Sequence, residues 1–330
     1  MRGQGKGHIV IPHPTVSILP QPTPLHRLSR LSDELGRELW IKRDDLTAVG
    51  VGGNKIRKLE YLLGEADDAG ADVLVTVGAV QSNHCRAVAA AASLTGRDCH
   101  LVFAGAEPET VTGNLLLDEY LGATVEYVPG AGWPEIFGAA EAACQRLRGQ
   151  GRRTYLMPAG GSTVTGSLGY ANAYREFLEQ CSAARLEPSA VVHASGSGGT
   201  QAGLIVGREL LGGESWIIGV GVSLDTELMA PISDGLADAL LRELGAEVGV
   251  RQPATVLSGY RGSNYGIETQ AGREALMLML RREGILLDPV YTAKAFAAIV
   301  AEDPALPEGP IVFWHTGGAP AVFARESTSE

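Results

Sequence analysis

Short apolar runs that end in small residues alternate with helical segments along most of this chain, and this alternation limits the folds open to it. The runs lie at residues 73–78, 99–105, 124–128, 154–157, 190–193, 216–220 and 310–314. Continuous apolar runs of this length, separated by helices, are typical of parallel strands buried on both faces. We therefore predict an α/β fold with two open, twisted, mostly parallel sheets that carry helices on both faces.

The segments between these runs have helical signals. Leu25, Leu28, Leu31 and Leu35 recur at helical spacing up to Gly36, which is a C-cap signal, and a short strand is predicted at 38–43. Further helices are predicted at 85–94, 133–148, 167–181, 226–244 and 272–283.

Composition and charge limit the classes of partner. A chain of 330 residues with 45% hydrophobic and 20% charged residues has room for one large or two ordinary globular domains. Its formal net charge of −11 argues against nucleic acid and anionic membranes as partners. No apolar run is long enough to span a bilayer, and the first residues lack the apolar core of a secretory signal. Cys85, Cys99, Cys144 and Cys181 lack metal-ligand spacing, so we predict reduced thiols, no metal site and a cytoplasmic protein.

Residues 52–58, Gly-Gly-Asn-Lys-Ile-Arg-Lys, have the features of a reactive lysine site. The chain has few lysines, and Lys55 follows the Gly-Gly-Asn turn at the start of a predicted helix. Glycines there let the backbone approach a ligand closely. A desolvated lysine close to a second cation, here Lys58, loses proton affinity and becomes an amine nucleophile. A surface lysine on an ordinary helix is the alternative interpretation.

Two loops at predicted strand ends are suited to anions, and in open α/β sheets ligands bind beyond the carboxyl ends of strands. Gln81-Ser82-Asn83-His84 precedes a helix, and free N–H groups at a helix start can hold a carboxylate. A simple N-cap explains the same residues. The small residues at 195–200 form a nest able to hold a phosphate, or only a tight turn.

Two further regions carry groups suited to proton transfer. The last predicted strand ends in His-Thr-Gly-Gly at 315–318. Tyr265 follows Asn264, and Tyr291 follows Asp-Pro-Val. A phenol at either position can transfer a proton, although aromatic residues at such places often serve only for packing.

These segments together resemble the pyridoxal-phosphate enzymes of the tryptophan-synthase-β fold type, also called fold type II. Within them the chain is most similar to the D-cysteine desulfhydrase and 1-aminocyclopropane-1-carboxylate deaminase group. The motifs that carry the resemblance are, in order, PTPLHRLSRLS, LWIKRDDLT, GGNKIRKLEYLL, VQSNH, SGSGGTQAGL, NYG, EGILLDPVYTAKA and HTGGAPAVFA. The resemblance implies pyridoxal 5'-phosphate as cofactor, a small amino acid as substrate and a homodimer. It also implies a large cofactor domain of residues 1–57 and 168–330, and a small domain of residues 58–167.

The resemblance assigns roles to individual residues, with Lys55 forming the Schiff base and Lys58 contacting the phosphate. The catalytic residues that it implies are Lys55, Ser82, Tyr265 and Tyr291. The cofactor-binding residues are Lys55, Lys58, Asn83, Ser197, Gly198, Gly199, Thr200 and Thr316. The substrate-binding residues are Gln81, Ser82, Asn83, His84, Ser162, Tyr265 and Tyr291.

Three positions favour the desulfhydrase pattern over the deaminase pattern. The deaminases have a glutamate at the position of Thr292, a leucine at Thr316 and a glutamine at His84. A hydroxyl facing the pyridine nitrogen does not hold a proton there as a carboxylate does, so the cofactor withdraws electrons less strongly. Such a cofactor suits elimination of a good β-leaving group better than the opening of a cyclopropane ring. The chain departs from the desulfhydrase pattern at 267–269 and 162–165, which leaves the identity of the amino acid open.

We therefore predict a lyase that converts D-cysteine to pyruvate, sulfide and ammonia, with Lys55 or a tyrosine as the base. One alternative is a β-replacement, racemising or 1-aminocyclopropane-1-carboxylate deaminase-type enzyme that acts on a different amino acid. The other is a binder of a phosphorylated ligand that kept the fold without the activity.

Overall fold

The computed structural model describes residues 9–20, 22–224, 226–246 and 251–324, and within them it contains ten strands. The strands are β1 (Leu25–Arg27), β2 (Leu39–Arg43), β3 (Val73–Ala79), β4 (Asp98–Ala104), β5 (Thr124–Val128), β6 (Thr154–Met157), β7 (Ala190–Ser195), β8 (Trp216–Gly221), β9 (Thr255–Leu257) and β10 (Ile311–His315). Most are short and apolar, and β7 and β10 are buried along their whole length.

The same parts of the chain contain ten α-helices. They are α1 (Ser29–Leu35), α2 (Lys55–Asp68), α3 (Asn83–Leu94), α4 (Gly113–Tyr120), α5 (Trp133–Gly149), α6 (Val164–Ala184), α7 (Gly199–Leu211), α8 (Thr226–Glu243), α9 (Gln270–Glu283) and α10 (Thr292–Val300). No helix in the described ranges is long and apolar enough to cross a membrane.

The strands form two sheets. The six-stranded sheet has the order β1-β2-β10-β7-β8-β9, and the four-stranded sheet has the order β5-β4-β3-β6. Every pairing is parallel except that of β1 with β2. The four-stranded sheet is built from residues that lie between β2 and β7 in the sequence. The predicted α/β fold with two mostly parallel sheets is confirmed.

Helices cover both faces of each sheet, which explains why the strands read as continuous apolar runs. Val192 and Phe313 of the six-stranded sheet belong to one buried cluster, with Phe296 of α10. Their neighbours Val191 and Trp314 point to the other face. In the four-stranded sheet Leu74 likewise belongs to one cluster, whereas Val73 and Val75 belong to another. Alternate side chains therefore enter separate cores, as the period of two in a strand requires.

The structure corrects the prediction of one helix from Leu25 to Gly36. Leu25–Arg27 forms β1 and pairs antiparallel with β2, and α1 begins only at Ser29. Gly36 does end that helix, in the left-handed conformation with φ of 61°. The other predicted strands and helices are present with ends shifted by up to three residues. The strand β9 and the helices α4 and α10 were not predicted, and the proposed domain boundaries at 57/58 and 167/168 fall inside α2 and α6.

Candidate active site

A cavity of about 800 Å³ opens where loops from the carboxyl ends of strands in both sheets meet, and its volume is typical of sites for small molecules. Residues at the ends of β3, β7 and β10 contribute to its wall. The predicted site residues that line it are Lys55, Ser82, Asn83, His84, Ser197, Gly198, Thr200, Tyr265, Tyr291 and Thr316. The fold thus brings together loops that lie far apart in the sequence.

Lys55 is the first residue of α2. The side chain of Asn54 hydrogen-bonds both the Lys55 amine and Thr200 at the start of α7. Lys55 Nζ donates to Asn54 Oδ1 at 2.9 Å, and Asn54 Nδ2 donates to Thr200 Oγ1 at 3.1 Å. Burial lowers the pKa of Lys55 to about 8, with a further lowering by the Arg86 charge and an opposing effect of Asp288. Roughly one tenth of the amine is therefore neutral, and so nucleophilic, near neutral pH, far more than for an ordinary lysine.

The turn before Lys55 is strained and is tied to neighbouring elements. Gly52 has φ of 71°, and a Cβ at this residue would lie 2.1 Å from the carbonyl oxygen of Asp45, so only glycine fits. Arg86 of α3 donates from Nη2 to Gly52 O at 2.9 Å and from Nη1 to Gly50 O. The helix that carries Ser82 and Asn83 therefore also fixes the turn that carries Lys55.

A buried cluster of ionic and polar groups joins α2, through Arg57, to the end of β2 and to α6. Arg57 donates to Asp44 at 2.9 and 3.0 Å and to Glu176 of α6 at 2.9 and 3.0 Å. Tyr170 and Trp314 donate to Asp44 Oδ2 at 2.6 and 2.8 Å. Asp44 is fully buried, and although burial opposes the change, the Arg57 charge lowers its pKa to about 2.

The loop before α3 presents donors to the cavity. Ser82 Oγ caps the helix by accepting from Cys85 N at 3.2 Å, and Ser82 lines the cavity. Asn114 Nδ2 donates to Asn83 Oδ1 at 2.9 Å, which leaves Nδ2 of Asn83 as the donor. Two side-chain donors at the N-terminus of a helix form a site suited to a carboxylate.

His84 lines the cavity as a neutral ring. Thr76 Oγ1 uses its hydrogen on Met157 O at 2.9 Å, so His84 Nε2, at 3.0 Å, must be the donor to that hydroxyl. Nδ1 is then an acceptor, and it is buried with no partner among the described residues. Burial, together with the charges of Lys55 and Lys58, lowers the pKa of His84 well below its ordinary value.

The predicted phosphate loop lies at the start of α7, opposite Lys55. Gly198, at the N-cap, has φ of 82° and makes no side-chain cap, so the first N–H groups of α7 are not capped by it. Ser197 Oγ lies 2.7 Å from Ser162 Oγ, which accepts from Lys58 Nζ at 3.0 Å. The helix start and the serine hydroxyl together can hold a phosphate group.

Four predicted site residues do not line the cavity. Lys58 and Ser162 contact the loop at 197–200 from outside the lining, where Lys58 also donates to Gly160 O at 3.2 Å, and their phosphate and substrate roles stay predictions. Gly199 packs against this pair, since a Cβ on it would lie 3.0 Å from Lys58 Nζ. The Gln81 side chain bonds Thr112 O at 3.0 Å and Asn114 N at 2.8 Å, so it is occupied by the start of α4.

Tyr265 and Tyr291 lie side by side in the wall of the cavity and hydrogen-bond each other through their hydroxyls. Their rings are 6.0 Å apart at 68°. Burial raises the pKa of both phenols, so each keeps its proton near neutral pH. They are therefore equipped to donate a proton rather than to act as a base.

Thr316 and Thr292, the two positions that distinguish the family patterns, are placed differently. Thr316 lines the cavity, whereas Thr292 is buried and donates to Asp288 Oδ1 at 2.7 Å. Asp288 is occupied in turn by the backbone N–H groups of Val290, Tyr291 and Thr292. Within the described parts of the chain the lining contains no aspartate and no glutamate.

Several lining residues were not predicted from the sequence. They include Asn54, Trp133, Phe137, Leu224 and Arg261. Asn54 adjoins Lys55 in the motif and could have been found there, but the others lie in segments without a motif. Among the described residues no cluster of histidine, cysteine or acidic groups is placed to hold a metal.

The residues at the cavity fit pyridoxal phosphate. A lysine with a lowered pKa, a glycine-rich helix start without a side-chain cap and the Asn83 amide supply an amine, a phosphate site and a donor for the phenolic oxygen. Each of these groups faces the same cavity.

Comparison with known proteins agrees with this geometry. The sequence profile of the family described as "Pyridoxal-phosphate dependent enzyme" matches residues 16–317. A crystal structure of an ACC deaminase homologue is 39% identical with a TM-score of 0.88, and the match covers 96% of this chain and 95% of that one. A threonine deaminase from T.th. is 22% identical with a TM-score of 0.65, covering 90% of this chain and 92% of that one. Serine racemase from Dictyostelium discoideum is 18% identical with a TM-score of 0.67, covering 90% of this chain and 92% of that one. The last two matches support the fold alone.

Proposed function

This chain belongs to the pyridoxal-phosphate dependent enzyme family, and we propose that it is a lyase that carries out α,β-elimination on a small amino acid of the D series. The proposed substrate is D-cysteine, which the reaction converts to pyruvate, hydrogen sulfide and ammonia. The bound cofactor supplies the electron withdrawal that weakens the Cα–H bond. Membership of the family and the 39% identity to an ACC deaminase homologue support an amino acid as the substrate.

The observation that carries this proposal is the absence of carboxylates from the lining of the cavity in the described part of the chain. Thr316 is there, and the nearby carboxylate of Asp288 is occupied by backbone N–H groups and Thr292. A pyridine nitrogen bound beside Thr316 would have no carboxylate in the lining to hold its proton, since an opposite charge is what raises its pKa. Loss of a good leaving group from Cβ requires less electron withdrawal than cleavage of a cyclopropane ring.

Different residues around the cavity would bind the substrate and the cofactor. The N–H groups at the start of α3, with the Ser82 hydroxyl and the Asn83 amide, would bind the substrate carboxylate. The loop at 197–200 would hold the cofactor phosphate, with Ser197 fixed by Ser162 and Lys58. His84, which lines the cavity, would contact the substrate.

In this proposal Lys55 accepts one proton from the substrate, and the tyrosine pair donates another to the leaving group. The neutral form of the Lys55 amine, which is more abundant than for an ordinary lysine because its pKa is lowered to about 8, takes the proton from Cα. The phenol pair of Tyr265 and Tyr291 gives a proton to the departing sulfur. The released 2-aminoacrylate reacts with water to give pyruvate and ammonia.

We also propose that the enzyme is a cytoplasmic homodimer with a large domain of residues 1–57 and 168–330 and a small domain of 58–167. The four cysteines are free and buried, as suits a reducing compartment. Light scattering of the purified enzyme tests the dimer, and a mass of one chain at micromolar concentration contradicts it.

A panel of amino acids tests the function and its main competitor, the deaminase-type reaction that the 39% identical homologue makes the second candidate. D-cysteine, L-cysteine, β-chloro-D-alanine and 1-aminocyclopropane-1-carboxylate are assayed for 2-keto acid with the holoenzyme. We expect pyruvate from D-cysteine and β-chloro-D-alanine, and little turnover of the cyclopropane. The Lys55→Ala variant should lose both turnover and the visible absorbance of the bound cofactor.

The double variant Thr292→Glu/Thr316→Leu gives a sharper comparison, with Thr316→Leu alone as its control. The double variant should gain turnover of the cyclopropane relative to D-cysteine, because it brings a carboxylate towards the ring nitrogen. Cofactor content and circular dichroism show whether each variant is folded. Turnover of the cyclopropane by the wild type at a rate equal to that of D-cysteine would overturn the proposal.

A further inference from the structure

We infer that Trp133 and Phe137 form an aromatic shelf that binds the β-substituent of the substrate. On this inference, which rests on the proposed lyase function, the enzyme prefers amino acids whose leaving group carries an aromatic or extended apolar part. S-aryl and S-alkyl cysteines are the substrate class that this predicts.

The shelf consists of two aromatic rings one helical turn apart at the start of α5. Trp133 is the first residue of the helix, and its ring lies 6.2 Å from that of Phe137, with 34° between the ring planes. Both line the cavity, yet Trp133 is 53% exposed. A tryptophan left half-exposed at the wall of a ligand cavity offers apolar area that a substrate can cover.

The backbone of the shelf belongs to a helix with an anchored start. Glu135 Oε2 accepts from Gly132 N at 3.0 Å, and a proline follows Trp133 in the first turn. On its other face α5 packs Ile136, Ala140 and Cys144 against the strands of the four-stranded sheet. The rings therefore do not depend on a flexible loop for their position.

The remainder of the cavity supplies the polar half of the recognition. Ser82 and Asn83, which would bind the substrate carboxylate, line the same cavity as the shelf. Lys55 and the tyrosine pair, which would transfer the protons, line it as well. Leu224 adds a further apolar side chain. The cavity of about 800 Å³ thus has both polar groups and apolar side chains in its wall.

The reaction stays the same for the larger substrates. Lys55 takes the proton from Cα, the Cβ–S bond breaks, and the sulfur leaves with its substituent and receives a proton. With one water molecule the products are a thiol, pyruvate and ammonium. No oxidant or reductant is needed.

Steady-state kinetics of the holoenzyme tests the shelf. Pyruvate formation is measured with S-phenyl-D-cysteine and D-cysteine for the wild type, Trp133→Ala and Phe137→Ala. We expect the ratio of kcat/KM for S-phenyl-D-cysteine over D-cysteine to fall about ten- to hundredfold in Trp133→Ala. Trp216→Ala is the matched control, because Trp216 is equally exposed at 50% but begins β8, at the end of the strand away from the cavity. Its ratio should equal that of the wild type.

Binding without turnover gives a second and independent measurement. D-phenylalanine has no β-leaving group, and its Kd for the holoenzyme is measured by calorimetry alongside that of D-alanine. Trp133→Ala should weaken D-phenylalanine about tenfold more than D-alanine, and Trp216→Ala should change neither.

The two measurements separate the possible failures. If no cysteine derivative gives pyruvate, the lyase proposal fails while the binding of D-phenylalanine still tests the shelf. If D-cysteine gives pyruvate but Trp133→Ala changes neither the kcat/KM ratio nor the binding of D-phenylalanine, the shelf is overturned and the lyase stands.

Discussion

At the scale of single residues, the reactivity of Lys55 depends on groups outside its own helix. Burial lowers the pKa of its amine most, and the positive charge of Arg86 lowers it further. Arg86 is itself almost fully buried, and it bonds Asn114 Oδ1 at 2.8 Å as well as the carbonyl oxygens of Gly50 and Gly52. One side chain thus contributes both to the geometry of the turn and to the protonation state of the lysine.

We predict that Arg86→Gln raises the pH at which apoenzyme takes up pyridoxal phosphate. Uptake requires the neutral amine of Lys55, so its rate should rise with pH through a midpoint near 8 in the wild type. Loss of the cation raises the pKa of Lys55 and moves that midpoint to higher pH. The measurement is the rate of appearance of the visible cofactor band over a range of pH.

Arg86→Lys is the matched control, since it keeps the charge and loses part of the hydrogen bonding. Its maximal rate should fall while its midpoint stays close to that of the wild type. Equal midpoints in the wild type and in Arg86→Gln would show that the Arg86 charge does not govern Lys55.

Cavity residues that belong to sequence motifs could be predicted, whereas those that only the fold brings to the cavity could not. Lys55, Ser82, Asn83 and Thr316 line the cavity as predicted positions, because each belongs to a recognisable turn at a strand or helix end. Trp133 begins an ordinary amphipathic helix, and nothing local shows that the start of this helix faces a ligand. The contact of Lys58 with Ser162, and through Ser162 with Ser197, was likewise hidden, since the three residues lie far apart in the sequence.

At the scale of elements, α2 is fixed by its packing on α6 and by the buried Asp44–Arg57–Glu176 cluster. A Cβ on Gly169 of α6 would lie 2.1 Å from the carbonyl oxygen of Arg57, so the two helices meet backbone to backbone. The ion pairs cross this contact and reach β2 through Asp44 at its end.

We predict that Arg57→Met lowers the free energy of unfolding by about 3–5 kcal/mol, because it leaves two carboxylates of a buried cluster without their main counter-ion. Urea unfolding at neutral pH measures the change. The exposed Arg242 is the control, and Arg242→Met should change the free energy of unfolding by less than about 0.5 kcal/mol. A loss in Arg57→Met no larger than that of the control contradicts the structural role of the cluster.

The same variant should also be more sensitive to acid. The folded-state pKa of Asp44 is lowered to about 2 from an ordinary 3.8, so its stabilisation is present above the ordinary value and is lost as pH falls towards 2. Without Arg57 the pKa of Asp44 rises, and unfolding should begin at higher pH than in the wild type.

The elements that were predicted well differ physically from those that were missed. The strands β5 and β6 have the predicted ends because apolar runs and turn residues define them. By contrast, α10 has only nine residues, eight of them buried, and periodicity does not separate helix from strand in so short an apolar run. The strands β1 and β9 have only three residues each, too few for a period to show, and their partners in the sheet define them.

For the protein as a whole, the reactivity of the four cysteines shows whether the chain is folded, because all four are buried in the native structure. All four are free and buried, and burial raises the pKa of Cys85, Cys99 and Cys181, the last to about 12. Because the thiolate is the reactive form, we predict no rapid reaction of the native enzyme with a thiol reagent and reaction of all four cysteines after unfolding in denaturant. A reducing agent should leave the unfolding midpoint unchanged. Rapid modification of any cysteine before unfolding would contradict this arrangement.

The position of β10 has a consequence for how the enzyme is made. This strand, at residues 311–315, lies between β2 and β7 and joins the two parts of the large sheet. A chain emerging from the ribosome can complete the four-stranded sheet once residue 157 has emerged. The pairing of β2 with β10 is possible only after residue 315 has been translated. Thr316 and Gly317, which line the cavity, come next. We therefore expect a nascent chain halted before residue 311 to take up no cofactor, because both the large sheet and the cavity wall are then incomplete.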